Sequence, residues 1–262
     1  MRATLLLALG ILSANPCASG PMAARPLRFA FLETLEMPLG EIQRDGSSAQ
    51  LTGGIDKDLN AALAHELGRP LVEVPIPRRR VTDNTASASF DVMCLMSPSW
   101  LGQDALMFDW TPEIMTITER VVGFAGTRGI GELNALKGKT IGTVNGYQYP
   151  VLETLFSSRQ ATRDDAPSEQ HALMKQLARR VDVTVMRDID LDYAAASHPE
   201  AHQLEASRLV ITATSIRCLR SPNASVGADE LSASVTRLLR SGKIRAILAR
   251  YGGAHGKTIA SP

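Results

Sequence analysis

The chain has 262 residues, 44% of them apolar and 21% charged, with 28 lysines and arginines against 27 aspartates and glutamates. These proportions describe a folded protein of one or two domains and exclude a disordered tail or a basic nucleic-acid binder. Setting aside residues 1–24, for the reason that follows, removes only Arg2 and leaves 27 basic against 27 acidic residues, so charge alone names no partner.

Arg2, followed by an apolar run from Ala3 to Ala14 broken only by Thr4, Gly10 and Ser13, reads as a secretory signal peptide cleaved near residues 19–24. The run is too short to span a bilayer. Asn15 and Pro16 stand where a lipid-attachment signal needs small residues, so Cys17 is not read as a lipid anchor. The mature chain then keeps Cys94 and Cys218 in an exported, oxidising setting where a disulfide can persist.

In chain order, Leu27–Leu32 is a short apolar strand, and Glu33–Gln50 a polar loop. A helix follows on Ile55, Leu59, Ala62, Leu63, Glu66 and Leu67, stopped by Gly68 and Pro70. Leu71–Ile76 alternates as a second strand. Phe90–Met96, nearly all apolar, is a third strand, buried on both faces. Strands joined by such crossovers predict a parallel sheet. After the β-rich stretch Thr116–Ala125 comes a second cycle: strand Lys139–Val144, helices Tyr149–Ser157 and Glu169–Arg179, and strand Val181–Met186. Ile211–Leu219 is strand-like, and Leu231–Arg240 and Lys243–Tyr251 are helical pieces separated at Gly242.

Gly138, Lys139 and Thr140 do not form a phosphate loop, because Leu133 stands where the upstream glycine belongs and the string precedes its strand. His198 and His202, four apart with Pro199 between them, read as a surface loop, and no metal ligand set or cofactor motif is visible. There is no Gly-x-Ser-x-Gly elbow. Three stretches point to ligand binding. Thr143–Pro150 sets Gly146 and Tyr147 between a strand and a helix start, where backbone N–H groups can hold an anion; the alternative is a turn with Tyr147 packed inward. Pro77–Arg80 (PRRR) follows a strand, and three successive arginines cannot all face one way; at least one points to the strand end where open α/β sheets bind ligands, unless the run is a solvated face. Ser97–Trp100 sets Trp100 at a similar strand end, to stack on a ligand or to close the core.

In their order these stretches resemble the family 3 extracellular solute-binding proteins, the periplasmic amino-acid-type binding proteins of ABC importers. Gly54–Leu59 (GIDKDL) with Ala62–Leu67 (ALAHEL) resembles the family's G-F-D-x-D-L and A-x-E-L helix entry. Leu133–Gly146 (LNALKGKTIGTVNG) resembles its entry into the second lobe, and Leu238–Gly252 (LLRSGKIRAILARYG) its closing helix. One element departs: the T-x-E-R arginine that pairs with a ligand α-carboxylate is missing, and the matching place falls near Gln103 or Asp104.

The resemblance implies an α/β, type II periplasmic-binding-protein fold of two lobes joined by a two-strand hinge. Residues 25–120 and 214–262 would form one lobe and 121–213 the other, in a periplasmic monomer. It further implies a small-molecule ligand, no cofactor, no nucleic acid, and the permease of an ABC importer as partner. Ligand positions carried over are Glu33 and Glu36 after the first strand, Ser97 and Trp100 after the third, Gly146 and Tyr147 in the second lobe, and Arg187 or Asp188 after Val181–Met186. Arg80, and after it Arg78, would replace the missing arginine. In the implied fold the returning strand Ile216–Leu219 lies antiparallel beside Phe90–Met96, bringing Cys94 and Cys218 within disulfide reach. Two other functions are compatible: a secreted dehydratase using Glu33, Glu36 or Asp188 as general acid on a cyclic acid, and a freestanding ligand sensor.

Overall fold

The computed structural model describes residues 25–46, 48–83 and 88–252; the predicted signal peptide lies outside them. Alternation in β1 (Leu27–Leu32) sends Leu27 and Phe29 to one side of a sheet and Ala30 and Leu32 to the other. The first side is covered by α1 (Ile55–Glu66), α5 (Ala228–Arg240) and α6 (Lys243–Ala249), which contribute Leu59, Leu63, Leu231, Val235, Ile244 and Ile247 to one core. β1 pairs in parallel with β4 (Leu71–Ile76) and β5 (Val92–Met96). The second core lies around β8 (Thr140–Val144), β9 (Thr162–Ala166) and β10 (Val183–Arg187), again parallel, with α2 (Pro150–Ser157) contributing Leu152 and Leu155. α3 (Glu169–Leu177) and α4 (Asp188–Ser197) cover the opposite face through Leu173 and Ala194.

Two long antiparallel strands connect the halves. β7 (Met115–Gly123) and β11 (Glu205–Arg220) pair from Met115–Ile216 to Gly123–Glu205. At one end β11 adds to β5 and to the short β6 (Asp109–Trp110); at the other β7 adds to β10. The strand order is β4-β1-β5-β11-β7-β10-β8-β9, with β6 beside β11. This is a two-lobed α/β architecture, and the expected lobe limits at 120/121 and 213/214 fall inside the β7–β11 ribbon. No described helix is long and apolar enough to cross a membrane.

The polar loop expected over Glu33–Gln50 is corrected: it contains the first strand of a hairpin, β2 (Glu41–Asp45) with β3 (Ser48–Gly53), whose Ala49 and Leu51 pack on Phe31. Gly54, after the hairpin, has φ +94°, and a Cβ there would lie 2.5 Å from the Gly40 Cα. That contact sets the start of α1 against the loop that carries Glu36.

The third strand begins at Val92 instead of Phe90 because Asp91 is a structural knot. Its carboxylate accepts from the Arg28 backbone N–H and Nε at 2.9 and 3.1 Å, from Arg28 Nη2 at 3.2 Å and from the Ser225 N–H at 2.7 Å. Burial pushes this carboxyl up, but those donors outweigh it and hold the group at about 2.

Asp56, in the first turn of α1, is the opposite case. It is 1% exposed, its Oδ1 has no hydrogen-bond partner, and burial followed by the nearby Glu73 charge pushes it up to about 8. A folded-state value raised above 3.8 means that the native chain holds a proton the unfolded chain has released, so this contribution is complete at acid pH and is lost as pH rises through about 8. Asp56→Asn is therefore expected to raise unfolding stability near pH 8 by about 1 to 3 kcal/mol while changing little near pH 4. Urea titrations at the two pH values check this; an equal effect at both would count against it.

Candidate functional site

The loops after β1, β4 and β5 face the loops after β8, β9 and β10 across a cleft, the geometry in which open parallel sheets bind ligands. Contacts between described residues cross it. The Gln170 backbone N–H donates to Glu36 Oε2 at 3.2 Å, and the Arg78 guanidinium lies 5.5 Å from the Tyr147 ring centroid. Among the described residues, two cavities stand out in this region. The smaller, about 230 Å³, is lined by Arg78, Thr82, Trp100 and Asp104 over an apolar floor that includes Leu32 and Met96. The larger, about 370 Å³, runs from Glu36 and the β2 hairpin to α3 and α4.

On the smaller cavity, Trp100 is 43% exposed and follows a bulge. Leu95 takes a left-handed backbone (φ 54°) and the β5–β11 register shifts between Arg217 and Leu219, so Cys94 and Leu95 both enter the helix-side core. Ser97, buried, bonds the Ser99 hydroxyl at 2.9 Å. Asp104, near the place where the resemblance sets the missing arginine, lines this cavity, so the wall carries an acid.

Cys94 and Cys218 are bonded, joining adjacent strands β5 and β11 with Cα atoms 3.9 Å apart and a sequence separation of 124.

The second lobe brings a buried charge cluster to the cleft. Arg187, at the end of β10, is 14% exposed and pairs with Asp190 at 2.5 Å and Glu169 at 3.3 Å. Tyr147 donates its hydroxyl to Glu169 at 2.9 Å; burial, then the Glu169 charge, pushes the phenol up to about 12. Burial opposes the Arg187 charge, but Asp190 and Glu169 outweigh it and the guanidinium stays protonated. Asp190 is pushed up to about 6 by burial against the pull of Arg187. In the β7 register Glu119 lies opposite both Arg187 and Thr212. Its carboxylate accepts from the Thr212 hydroxyl at 2.5 Å, and burial raises it.

The ten expected ligand positions separate. Arg78, Trp100, Glu36 and Tyr147 lie on the cavities or the contacts between lobes. Arg80 instead pairs with Asp83 at 3.6 Å and lies outside the residues lining either cavity, so the geometry shifts the emphasis among the arginines to Arg78. Glu33 faces Arg44 of the hairpin at 4.0 Å, and Asp188 bonds Arg120 of β7 at 3.3 Å. Gly146 has φ +78°, but the N–H groups beside it are used within the fold: Asn145 donates to the Ala166 carbonyl and Tyr147 to that of Val144. These two N–H groups therefore serve the turn itself, with Tyr149 buried beneath it and its hydroxyl accepting from the Val144 N–H. Glu169, Asp190 and Glu119 were not singled out in the sequence, because each is a single acid without a motif. The usable signal for Glu169 was its place in the first turn of a helix after a strand.

No protein-family profile and no curated protein matches the chain. Solved structures do. The amino acid ABC transporter substrate-binding protein AbpA from Streptococcus pneumoniae, bound to L-arginine, is 16% identical with a TM-score of 0.64, over 87% of this chain and 95% of that one. The L-cystine solute receptor of Neisseria gonorrhoeae, in its unliganded open conformation, is 15% identical with a TM-score of 0.65, over 87% and 93%. The GLUR0 ligand-binding core in complex with L-glutamate is 14% identical with a TM-score of 0.65, over 89% and 100%. The chain therefore has the two-lobed α/β fold of the amino-acid ABC transporter substrate-binding proteins.

Proposed function

We propose that this chain is an exported solute-binding protein that captures a small polar organic solute between its lobes, 25–120 with 214–262 on one side and 121–213 on the other. It would act as a periplasmic monomer and pass the solute to the permease of an ABC importer. The observation that carries the reading is that Glu36 meets Gln170 and Arg78 meets Tyr147 across the cleft, beside cavities lined at strand ends. Such contacts exist only when the halves approach, and β7 and β11 supply the hinge about which they separate. A thermal-shift screen over amino acids, polyamines, opines, dicarboxylates and cyclic acids tests it, since a ligand that binds only the folded chain raises its midpoint with concentration. Small-angle scattering should then give a smaller radius of gyration with a saturating hit; an unchanged radius would count against closure.

Arg78 is the side chain we expect to hold an anionic or polar end of the solute, being exposed, on the cavity wall and outside the buried pairs. Arg78→Ala is expected to weaken binding of the best hit by about 1.5 to 3 kcal/mol, the range for a charge-assisted hydrogen bond, whereas Arg80→Ala should change it little. Isothermal titration of both variants decides; equal behaviour would return the arginine run to a solvated face.

A dehydratase would need a cleft acid free to donate its proton. The acids raised by burial, Glu119 and Asp190, are held by Thr212 and Arg187, which favours binding over turnover. Product analysis on each hit separates the two.

A further inference from the structure

We infer that the smaller cavity takes a single-ring aromatic monocarboxylate that carries a hydrogen-bond donor, a hydroxyl or an amino group, on its ring. This rests on the solute-binding reading and names the class of solute.

Trp100 supplies a face for the ring. Of the two tryptophans, Trp110 packs against a core and donates its indole N–H to the Ala105 carbonyl at 3.0 Å, whereas Trp100 stays exposed on the cavity and joins no such core. Its backbone is nonetheless fixed, because the Trp100 N–H donates to the carbonyl of the buried Ser97 at 3.1 Å. An indole presented this way gains more from a flat ring than from an aliphatic chain. The floor beneath is apolar, formed by Leu32, Val81, Met96 and Leu101. At about 230 Å³ the cavity is smaller than the roughly 300–1,000 Å³ of drug-sized sites, which suits one ring and not two.

The wall carries one charge of each sign, and among the described residues neither Arg78 nor Asp104 is in an ion pair. The Tyr147 ring of the second lobe meets the Arg78 guanidinium, whose N–H groups form no hydrogen bond among the described residues. Its planar fork of donors is therefore free for a carboxylate, which it matches with two parallel bonds. Asp104 is exposed on the same wall. A carboxylate accepts from a hydroxyl or amino group and repels a second carboxylate, so Asp104 selects a donor elsewhere on the ring and disfavours a diacid. Thr82 adds a hydroxyl to this lining.

Isothermal titration compares the meta and para isomers of hydroxybenzoate and aminobenzoate with benzoate, which lacks the donor, with 4-hydroxycyclohexanecarboxylate, which lacks the flat ring, and with terephthalate, which carries a second carboxylate. At least one of the substituted benzoates should bind about ten-fold or more tightly than each of these controls. Trp100→Leu should weaken that ligand about ten-fold while changing the cyclohexane compound little, and Asp104→Ala should remove its advantage over benzoate. Both side chains are exposed, and circular dichroism follows folding. A ring preference that survives Trp100→Leu, or a donor preference that survives Asp104→Ala, overturns the inference. An aliphatic amino acid, polyamine or dicarboxylate that binds more tightly than every aromatic acid, with the lobes closing in scattering, overturns it too and leaves solute binding intact. Failure of every compound in the wider screen overturns the functional reading, and this inference with it.

Discussion

Replacing both Cys94 and Cys218 with alanine is expected to lower the free energy of unfolding by about 5 kcal/mol, the value the chain-entropy relation gives for a loop of this length. The loop is defined by the sequence separation of 124 between the cysteines, and it contains the second core, all of β7, and β11 up to Cys218. The bond thus ties the base of an insertion: with it, the first lobe folds with β5 and β11 already neighbours, and without it that closure entropy opposes folding. Both cysteines are at most 2% exposed, so a thiol reductant should leave the native protein intact and act once the chain is unfolded. Guanidinium titrations of the oxidised parent and the double variant measure the difference. A loss below about 1 kcal/mol would mean that the unfolded chain is already compact near this site. Alkylation without reductant is the companion check, and two blocked thiols on the unfolded chain would refute the bridge itself.

How far the fold was legible follows from where burial was periodic. Leu27–Leu32 and Leu71–Ile76 are strands at the expected limits, and α1 ends one residue earlier than its pattern suggested, because their apolar spacing reports a buried face directly. The elements missed are those whose stability comes from elsewhere. β9 reads TRDDA and lies at the sheet edge, where Arg163 pairs with Asp165, Lys175 bonds Asp164, and Thr143 donates to Asp165. α4 begins with the acids of DIDLD, which suit a helix start but hide its apolar face. β11 was read as Ile211–Leu219 although it runs from Glu205, since its first half alternates poorly and is specified by pairing with β7.

The site was legible in outline and not in charge balance. The strand ends that carry Glu36, Arg78 and Trp100 follow from the α/β order, which is topological information a sequence contains. That Arg187 would be neutralised by Glu169 and Asp190 depends on side chains from α3 and α4 meeting in three dimensions, and nothing in their spacing announces it. The same holds for Gly146, where the tight turn was readable from the glycine but the carbonyls that consume its neighbours' N–H groups belong partly to β9.

Arg187→Met is expected to be the most damaging single substitution in the second lobe, costing about 3 to 5 kcal/mol near pH 8, because it leaves Asp190 and Glu169 close together without their cation. The pH dependence follows from Asp190, which burial already holds at about 6 and which Arg187 pulls down. Removing that pull raises the folded-state value further above the unfolded one, so the stability Asp190 contributes is present in its protonated form below pH 4 and is lost as pH rises through the new value. The variant should therefore be closer to the parent near pH 5 than near pH 8. Adding Asp190→Asn should recover most of the pH-dependent part, since the amide needs no counter-charge, while the packing lost with the arginine stem remains lost. Urea titrations of parent, single and double variants at the two pH values distinguish the causes. A single variant as stable as the parent near pH 8 would show that solvent already screens the cluster, and an equal loss at both pH values with no rescue would assign the effect to packing instead of charge.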